Sequence, residues 1–391
     1  MHYVRCLRRP KVTPSRATYT IELLFIISTD LGDSLLFPDE PIDLSVTAYT
    51  GPEDAKGTPL ASKGQVSWKT GQRVVKQDFG TPPTVTRALS AGKTVQLRIG
   101  GPGSSSADSA HAVAGCTAED DGLIMPLWVA VHHPSHQHEE HVSTRKLRLP
   151  RGTTLEIAED IGEPKSLARH VWDGGLAAVC GLAEGGDVSG GPCLRLVREM
   201  IARGGNILEL GCGVGVLGLG TALVADAMRG TLTTARTSVV MTDLEDAEEQ
   251  VRSNMGRVLP RLSRHDEEGE IGGIELVYEN LDWEDGSRGR FGPAVASRSW
   301  DLIMLSDCTY NVDVLPALVG TLEALHAANV ARGLNGGTRV FIATKPRHES
   351  ETEAFDLLNT KGWSRLTEQT IPLPVMGEEP QRVELYLYER R

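Results

Sequence analysis

The run Asn206-Ile207-Leu208-Glu209-Leu210-Gly211-Cys212-Gly213-Val214-Gly215 constrains the fold more than any other stretch of this 391-residue chain, because an apolar segment stops there in alternating glycines. It reads as a buried strand feeding a tight loop. From Val216 to Met228 the apolar positions Val216, Leu217, Leu219, Leu223, Val224 and Met228 take helical spacing, so the loop opens into a helix. Gly211, Gly213 and Gly215 remove side chains where a ligand must approach the main chain, and the helix start behind them offers unpaired N–H groups. A small, polar, partly anionic ligand is expected on this turn.

The glycines alone leave the ligand open, since Gly213-Val214-Gly215-Val216-Leu217-Gly218 also satisfies the dinucleotide pattern G-x-G-x-x-G. That pattern needs an acid about 20 residues further on to hold a ribose, and Gly230 to Met241 contains no Asp or Glu. Asp243 instead ends the next apolar run, Ser238 to Leu244, where its carboxylate can accept both ribose hydroxyls of an adenosine lying across two strand ends. Glu209 is a second acid at a strand end.

The rest of the chain repeats the theme. Val171-Trp172-Asp173-Gly174-Gly175 precedes a helix, Leu176 to Ala183, with Asp173 as its expected N-cap. Trp172 faces either a planar adenine or the core. Asp246 to Leu259 is expected to be a helix ended by Pro260. Ile274 to Val277 runs on to Asn280-Leu281-Asp282-Trp283, which places an acid and an aromatic at a third strand end. Trp300 to Asp307 is nearly continuously apolar, as a strand covered on both faces requires, and ends in Asp307-Cys308-Thr309-Tyr310. A helix from Val314 to Ala328, a strand Arg339 to Ala343, a helix from Glu349 to Leu358 and two alternating segments, Ser364 to Ile371 and Arg382 to Tyr388, close the chain. Strands alternating with helices before a final antiparallel pair specify an α/β, doubly wound, Rossmann-like sheet whose ligands lie beyond the carboxyl ends of its strands.

Residues 1–143 are read as an accessory region, part β and part disordered, and 144–391 as the catalytic domain. Asp43 to Tyr49 and Thr94 to Ile99 alternate like strands, whereas Gly100 to Ala114, rich in Gly, Ser and Ala, is expected to be mobile. His132, His133, His136, His138 and His141 crowd a segment broken by Pro134, and read as a solvated loop, with no metal. Lys146 to Leu149 and Thr153 to Ile157 form a hairpin at the entrance to the catalytic domain. Residues 1–16 carry five basic residues and no acid, as an organelle leader can, but Pro10 and Pro14 spoil the amphipathic helix such a leader needs.

Composition removes several function classes. With 40 Lys and Arg against 52 Asp and Glu, the net charge is −12, which disfavours a nonspecific nucleic-acid binder and makes a basic protein surface the easier partner. The six cysteines include no C-x-x-C pair, which argues against a zinc site or a disulfide framework. Cys212 and Cys308 read as buried thiols filling space. No apolar run approaches the roughly 18 residues a bilayer span requires.

Taken together, Val171-Trp172-Asp173, Glu209-Leu210-Gly211-Cys212-Gly213, Asp243, Leu281-Asp282-Trp283, Asp307-Cys308-Thr309-Tyr310 and Lys345-Pro346-Arg347-His348-Glu349 resemble the motifs of the seven-strand, methyltransferase-like protein-lysine methyltransferases, over about residues 144 to 391. The resemblance implies S-adenosylmethionine (AdoMet) as the methyl donor. It places Trp172, Gly211, Cys212, Gly213, Asp243, Trp283 and Ser306 against AdoMet, with Glu209, Leu244 and Asp282 at the same strand ends. Asp307 and Tyr310 match the group's D-x-x-Y element, which implies a place beside the acceptor amine. Lys345, Arg347 and His348 are expected on a solvated charged face at the cleft mouth. Gly174-Gly175 departs from the group, where small non-glycine residues are usual, and the first 140 or so residues have no counterpart in it.

The expected substrate is therefore a lysine amine of a protein, handled by a monomer in the cytoplasm or nucleus. A small-molecule N-methyltransferase and a non-catalytic module that kept the fold are the alternatives. The base-methylation motif Asn-Pro-Pro-Tyr is absent.

Overall fold

The computed structural model describes residues 1–61, 64–117, 122–135, 141–162, 166–185, 191–229, 236–262, 273–334, 336–376 and 381–391. Its C-terminal part is a seven-stranded sheet in the order Ile274–Asn280, Thr237–Asp243, Gly205–Leu210, Leu302–Ser306, Thr338–Thr344, Gln381–Arg390, Ser364–Leu373. The first five pair in parallel, and Gln381–Arg390 runs antiparallel to both neighbours. Strand order reverses between Gly205–Leu210 and Leu302–Ser306, and that reversal opens the crevice where such sheets take ligands.

The apolar strands are continuous because both faces are covered. Side chains alternate across the sheet, so Ile207, Val239, Met241, Met304 and Phe341 join one core with the helices Asp173–Glu184, Pro192–Ala202 and Val216–Met228. Leu208, Val240, Ile303, Leu305, Val340 and Ile342 join the other, with the helix Leu315–Ala331. Residues 312–331 reach a mean hydropathy of 1.3. Leu315, Leu318, Leu322 and Leu325 on that helix are nevertheless buried in the core.

The N-terminal part holds a five-stranded sheet built on Thr18–Thr29 and a six-stranded sheet in the order Thr154–Asp160, Val142–Arg148, Leu127–Val131, Val95–Gly100, Ser45–Tyr49, Thr58–Pro59. The basic segment at residues 1–16 contributes the strands His2–Cys6 and Lys11–Ser15. The expected hairpin is present as Val142–Arg148 and Thr154–Asp160, and the Trp128–Thr144 pairing bonds it into the six-stranded sheet. Its second strand also lies against the helix Glu245–Leu262. There the fully buried Asn254 accepts the Ala158 N–H at 2.8 Å and donates to the carbonyls of Ala158 at 3.0 Å and Val214 at 2.9 Å. One amide thus ties the accessory sheet to the glycine loop. Asn254→Ala strands these groups in a dry interface and is expected to cost about 2–3 kcal/mol. An unchanged urea midpoint would contradict it.

Three local expectations are corrected. Gly100 to Ala114 is ordered: Ala110–Ala114 is a helix with Ser109 accepting the Ala112 N–H, and Ala107, Ala110 and Val113 are buried. Small residues there permit close packing on the helix Asp173–Glu184. Pro260 does not end its helix, which continues to Leu262. The expected helix from Glu349 begins as a 3-10 turn, Glu349–Thr352, before the helix Glu353–Thr360. Of the histidine segment, His136 and His138 lie outside the described residues, and no metal-ligand cluster occurs among the described ones.

Candidate active site

A cavity of about 540 Å³ opens at the strand reversal. Gly211 and Gly213 form its floor, and Gly215 follows in the same loop. Gly211 (φ +66°), Gly213 (φ +53°) and Gly215 (φ +86°) all take the left-handed conformation. A Cβ on Gly211 would lie 2.7 Å from Cys308 Sγ and 3.0 Å from Trp283 Cζ2, and one on Gly213 would lie 3.1 Å from the Ala168 carbonyl oxygen. Only glycine fits this loop.

Asp243 organises the floor. Its Oδ2 accepts the Gly213 N–H and its Oδ1 the Leu244 N–H, each at 2.7 Å. Each oxygen keeps a lone pair for further donors. Burial raises this carboxyl above its ordinary value. Leu244, Trp283 and Trp172 supply apolar walls. Trp172 donates its indole N–H to the Leu167 carbonyl at 3.0 Å, and the Arg347 guanidinium lies 5.2 Å from its ring centre, so its side chain belongs to the cavity rather than the core. Cys212 and Cys308 are buried, and burial pushes both thiols well above their ordinary range, which keeps them protonated fillers.

Two of the expected cofactor acids do other work. Glu209 is fully buried and does not line the cavity. Its Oε2 accepts the Gly218 N–H at 2.9 Å, so it occupies from beneath the helix start that the sequence offered to a ligand. Burial pushes its carboxyl well above the usual range. Asp282 does line the cavity, but its carboxylate caps the short helix Trp283–Gly286 by accepting the Glu284 N–H at 2.8 Å.

Ser306 ends the central strand Leu302–Ser306, and Asp307 follows it with φ +51°. The Asp307 carboxylate is buried and holds three donors: the Gly174 N–H at 2.7 Å, the Lys345 N–H at 3.1 Å and Arg347 Nη1 at 2.9 Å. Burial raises its carboxyl, against the pull of Arg347. This geometry explains Gly174-Gly175. A Cβ on Gly174 would lie 2.4 Å from Asp307 Oδ2, and one on Gly175 2.9 Å from Ser306 Oγ. Asp173, expected as the N-cap, instead lies in the first turn with Trp172 at the cap. Its carboxylate accepts the Tyr3 hydroxyl at 2.7 Å, Lys345 Nζ at 2.8 Å and the amino group of Met1 at 2.8 Å.

The expected solvated face is likewise corrected for two residues. Lys345 is buried between Asp30 and Asp173, its Nζ 2.8 Å from each. Arg347 bridges Asp307 and Asp30, the latter at 2.7 Å. Although burial opposes their charge, these carboxylates hold both cations above their ordinary values. His348 is exposed and lines the cavity.

Sequence reasoning missed Asp30, Leu31 and Glu351. Asp30 follows the strand Thr18–Thr29, so the strand-end acid that singled out Asp243 was present there too. Leu31 reaches the cavity from the accessory half, and with Leu167, Leu244 and Tyr310 it forms an apolar rim, these four being 45, 46, 51 and 52% exposed.

Known proteins match this chain in three ways. A family profile described as lysine methyltransferase matches residues 150–361. A UPF0665 family protein of Schizosaccharomyces pombe is 24% identical over 396 residues, spanning 100% of this chain and 99% of the relative. EEF1A lysine methyltransferase 3 of Mus musculus is 27% identical over 204 residues, 52% of this chain and 67% of the relative. Among solved structures, a SAM-dependent methyltransferase of Methanosarcina mazei is 14% identical, with a TM-score of 0.33 over 50% of this chain and 96% of that one.

Proposed function

The chain belongs to the lysine methyltransferase family, and we propose that it transfers a methyl group from AdoMet to a lysine side-chain amine of a protein. The observation that carries this reading is the division of one cavity into a polar floor and an apolar rim. The floor fits a nucleoside: glycines leave the main chain bare, and Asp243 keeps lone pairs for two ribose hydroxyls. Leu244 and Trp283 would flank its base, with Trp172, Cys212 and Ser306 on the remaining walls. AdoMet supplies an already activated methyl when bound, so the protein's part is alignment rather than covalent catalysis.

The rim suits a polypeptide. Leu31, Leu167, Leu244 and Tyr310 give an apolar mouth that a lysine's four-carbon stem can cross. A free lysine has a pKa of about 10.4 and arrives charged. Removal from water favours loss of its proton to solvent at the mouth. Tyr310 forms a wall of this passage. Asp307 acts by fixing the Gly174 helix start and the Arg347–Trp172 stack on either side of it.

Labelled AdoMet added to lysate from cells lacking the protein, with and without purified enzyme, tests the reading. A labelled protein band, resolved by mass spectrometry to a methylated lysine, supports it. Label only in low-mass acceptors would replace it with small-molecule methylation, and no label would favour a binding module. Asp243→Ala is expected to weaken AdoMet by about 1–3 kcal/mol, the worth of hydrogen bonds to a charged group. Calorimetry returning the wild-type affinity would remove Asp243 from the donor site.

A further inference from the structure

We propose that Glu351, rather than Asp307, is the carboxylate that receives the substrate ammonium. The inference rests on the lysine-methylation reading and specifies which group of this cavity meets the substrate's charge.

An ammonium brings three N–H donors and needs an acceptor with free lone pairs. The acids around the cavity are largely committed. Asp307 holds two main-chain N–H groups and a guanidinium. Asp30 holds Lys345 and Arg347, whereas Asp282, whose Oδ1 caps a helix, and Glu284, which pairs with Arg288, are exposed to water. Asp243 ties the two loops of the nucleoside floor. For an incoming lysine to take Asp307, it would have to displace Arg347 from a buried pair.

Glu351 differs from all of them in that its unbonded oxygen is buried. It lines the cavity and is only 5% exposed. Its Oε1 accepts the N–H groups of Arg347 at 3.1 Å and His348 at 3.2 Å, which fixes the side chain. Its Oε2 is buried and has no hydrogen-bond partner. A buried carboxylate oxygen without a donor is costly, and in native proteins such a group calls for a ligand or another explanation. Beside it Arg347 is already neutralised by Asp307 and Asp30. Among the described acids that line the cavity, Glu351 thus carries the one buried oxygen without a donor, at the point where the segment after the strand Thr338–Thr344 turns back into the 3-10 turn Glu349–Thr352.

Glu351→Gln tests this with little risk to the fold. The amide oxygen can keep both main-chain donors, and the new NH2 takes the place of the oxygen that has none. The probes are two S-adenosylhomocysteine analogues with nitrogen in place of sulfur, bearing alkyl arms of equal length that end in ammonium or in methyl. Titration calorimetry should show wild type preferring the ammonium arm by about tenfold or more, as a charge-assisted hydrogen bond gives. Glu351→Gln should lose that preference and keep its affinity for the methyl arm. A preference retained in Glu351→Gln, or absent from wild type that binds both analogues, overturns the assignment of Glu351. If wild type binds neither analogue, the nucleoside reading of the floor fails and the assignment with it. The binding readout needs no protein substrate, so an assignment that fails here stays separable from a lysate in which no lysine is labelled.

Discussion

Asp307→Ala is expected to lower methyl transfer by about 100-fold or more, to destabilise the fold by about 3–5 kcal/mol, and to change AdoMet affinity little. The stability loss follows from what the carboxylate holds. Removing it strands the buried N–H groups of Gly174 and Lys345 and leaves Arg347 with Asp30 as its remaining carboxylate. The activity loss follows from position. Gly174 opens the helix Asp173–Glu184, Arg347 lies against Trp172, and Asp307 sets both relative to the strand end. The proposed donor floor is built on Asp243 and the glycine loop instead, so binding there should survive. Asp307→Asn should not rescue, because both oxygens accept N–H groups and an amide has one acceptor: either orientation sets NH2 against a donor. Labelled transfer, urea denaturation and AdoMet calorimetry on one preparation separate these effects. A folded variant that loses donor binding and transfer equally would show that Asp307 serves the donor side.

Features encoded over a few consecutive residues were legible before the structure. An apolar run broken by glycine or acid marks a strand tip, which is how Gly211, Asp243, Trp283 and Asp307 could be placed at one edge of a doubly wound sheet. What such a tip does with its side chain depends on neighbours distant in sequence. Glu209 looked like a ligand contact because it precedes the glycine loop, and the same place lets it reach the Gly218 N–H under the next helix. Asp282 shares the strand-end signature but spends its carboxylate on a cap. Lys345 and Arg347 looked solvated because their partner Asp30 lies more than 300 residues earlier, just past the strand Thr18–Thr29. Periodicity carries no trace of that pairing. The small residues of Gly100 to Ala114 read as loop by composition, although smallness is also what close helix packing requires.

The Arg145–Glu159 pair shows how the accessory half bears on the cavity, and Glu159→Ala is expected to cost about 3–5 kcal/mol. Both residues are almost wholly buried, with Arg145 Nε 2.5 Å from Glu159 Oε1. Arg145 also donates to the carbonyls of Met125 and Pro126, so it cannot follow its partner out of the fold and stays behind as an unpaired charge facing Arg5. The other oxygen of Glu159 accepts the Val171 N–H at 3.0 Å, one residue before Trp172. Loss of the carboxylate should therefore loosen the Val171–Trp172 wall as well, and methyl transfer should fall with stability. Replacing both partners, as in Arg145→Met with Glu159→Leu, removes the stranded charge and should recover part of the loss, the Val171 N–H still lacking its acceptor. Acid sensitivity gives an independent check. Burial alone would raise the Glu159 carboxyl, but Arg145 and the hydrogen bond with His170 hold it well below its ordinary 4.5. A depressed folded-state pKa means the unfolded chain takes up this proton first. The stabilisation is thus complete above about pH 4.5 and is lost as pH falls toward the folded value. Wild type should lose stability more steeply than Glu159→Gln when urea midpoints are compared between about pH 6 and pH 3. Parallel slopes would mean that the carboxylate's charge contributes nothing to holding the hairpin against the Val171 segment.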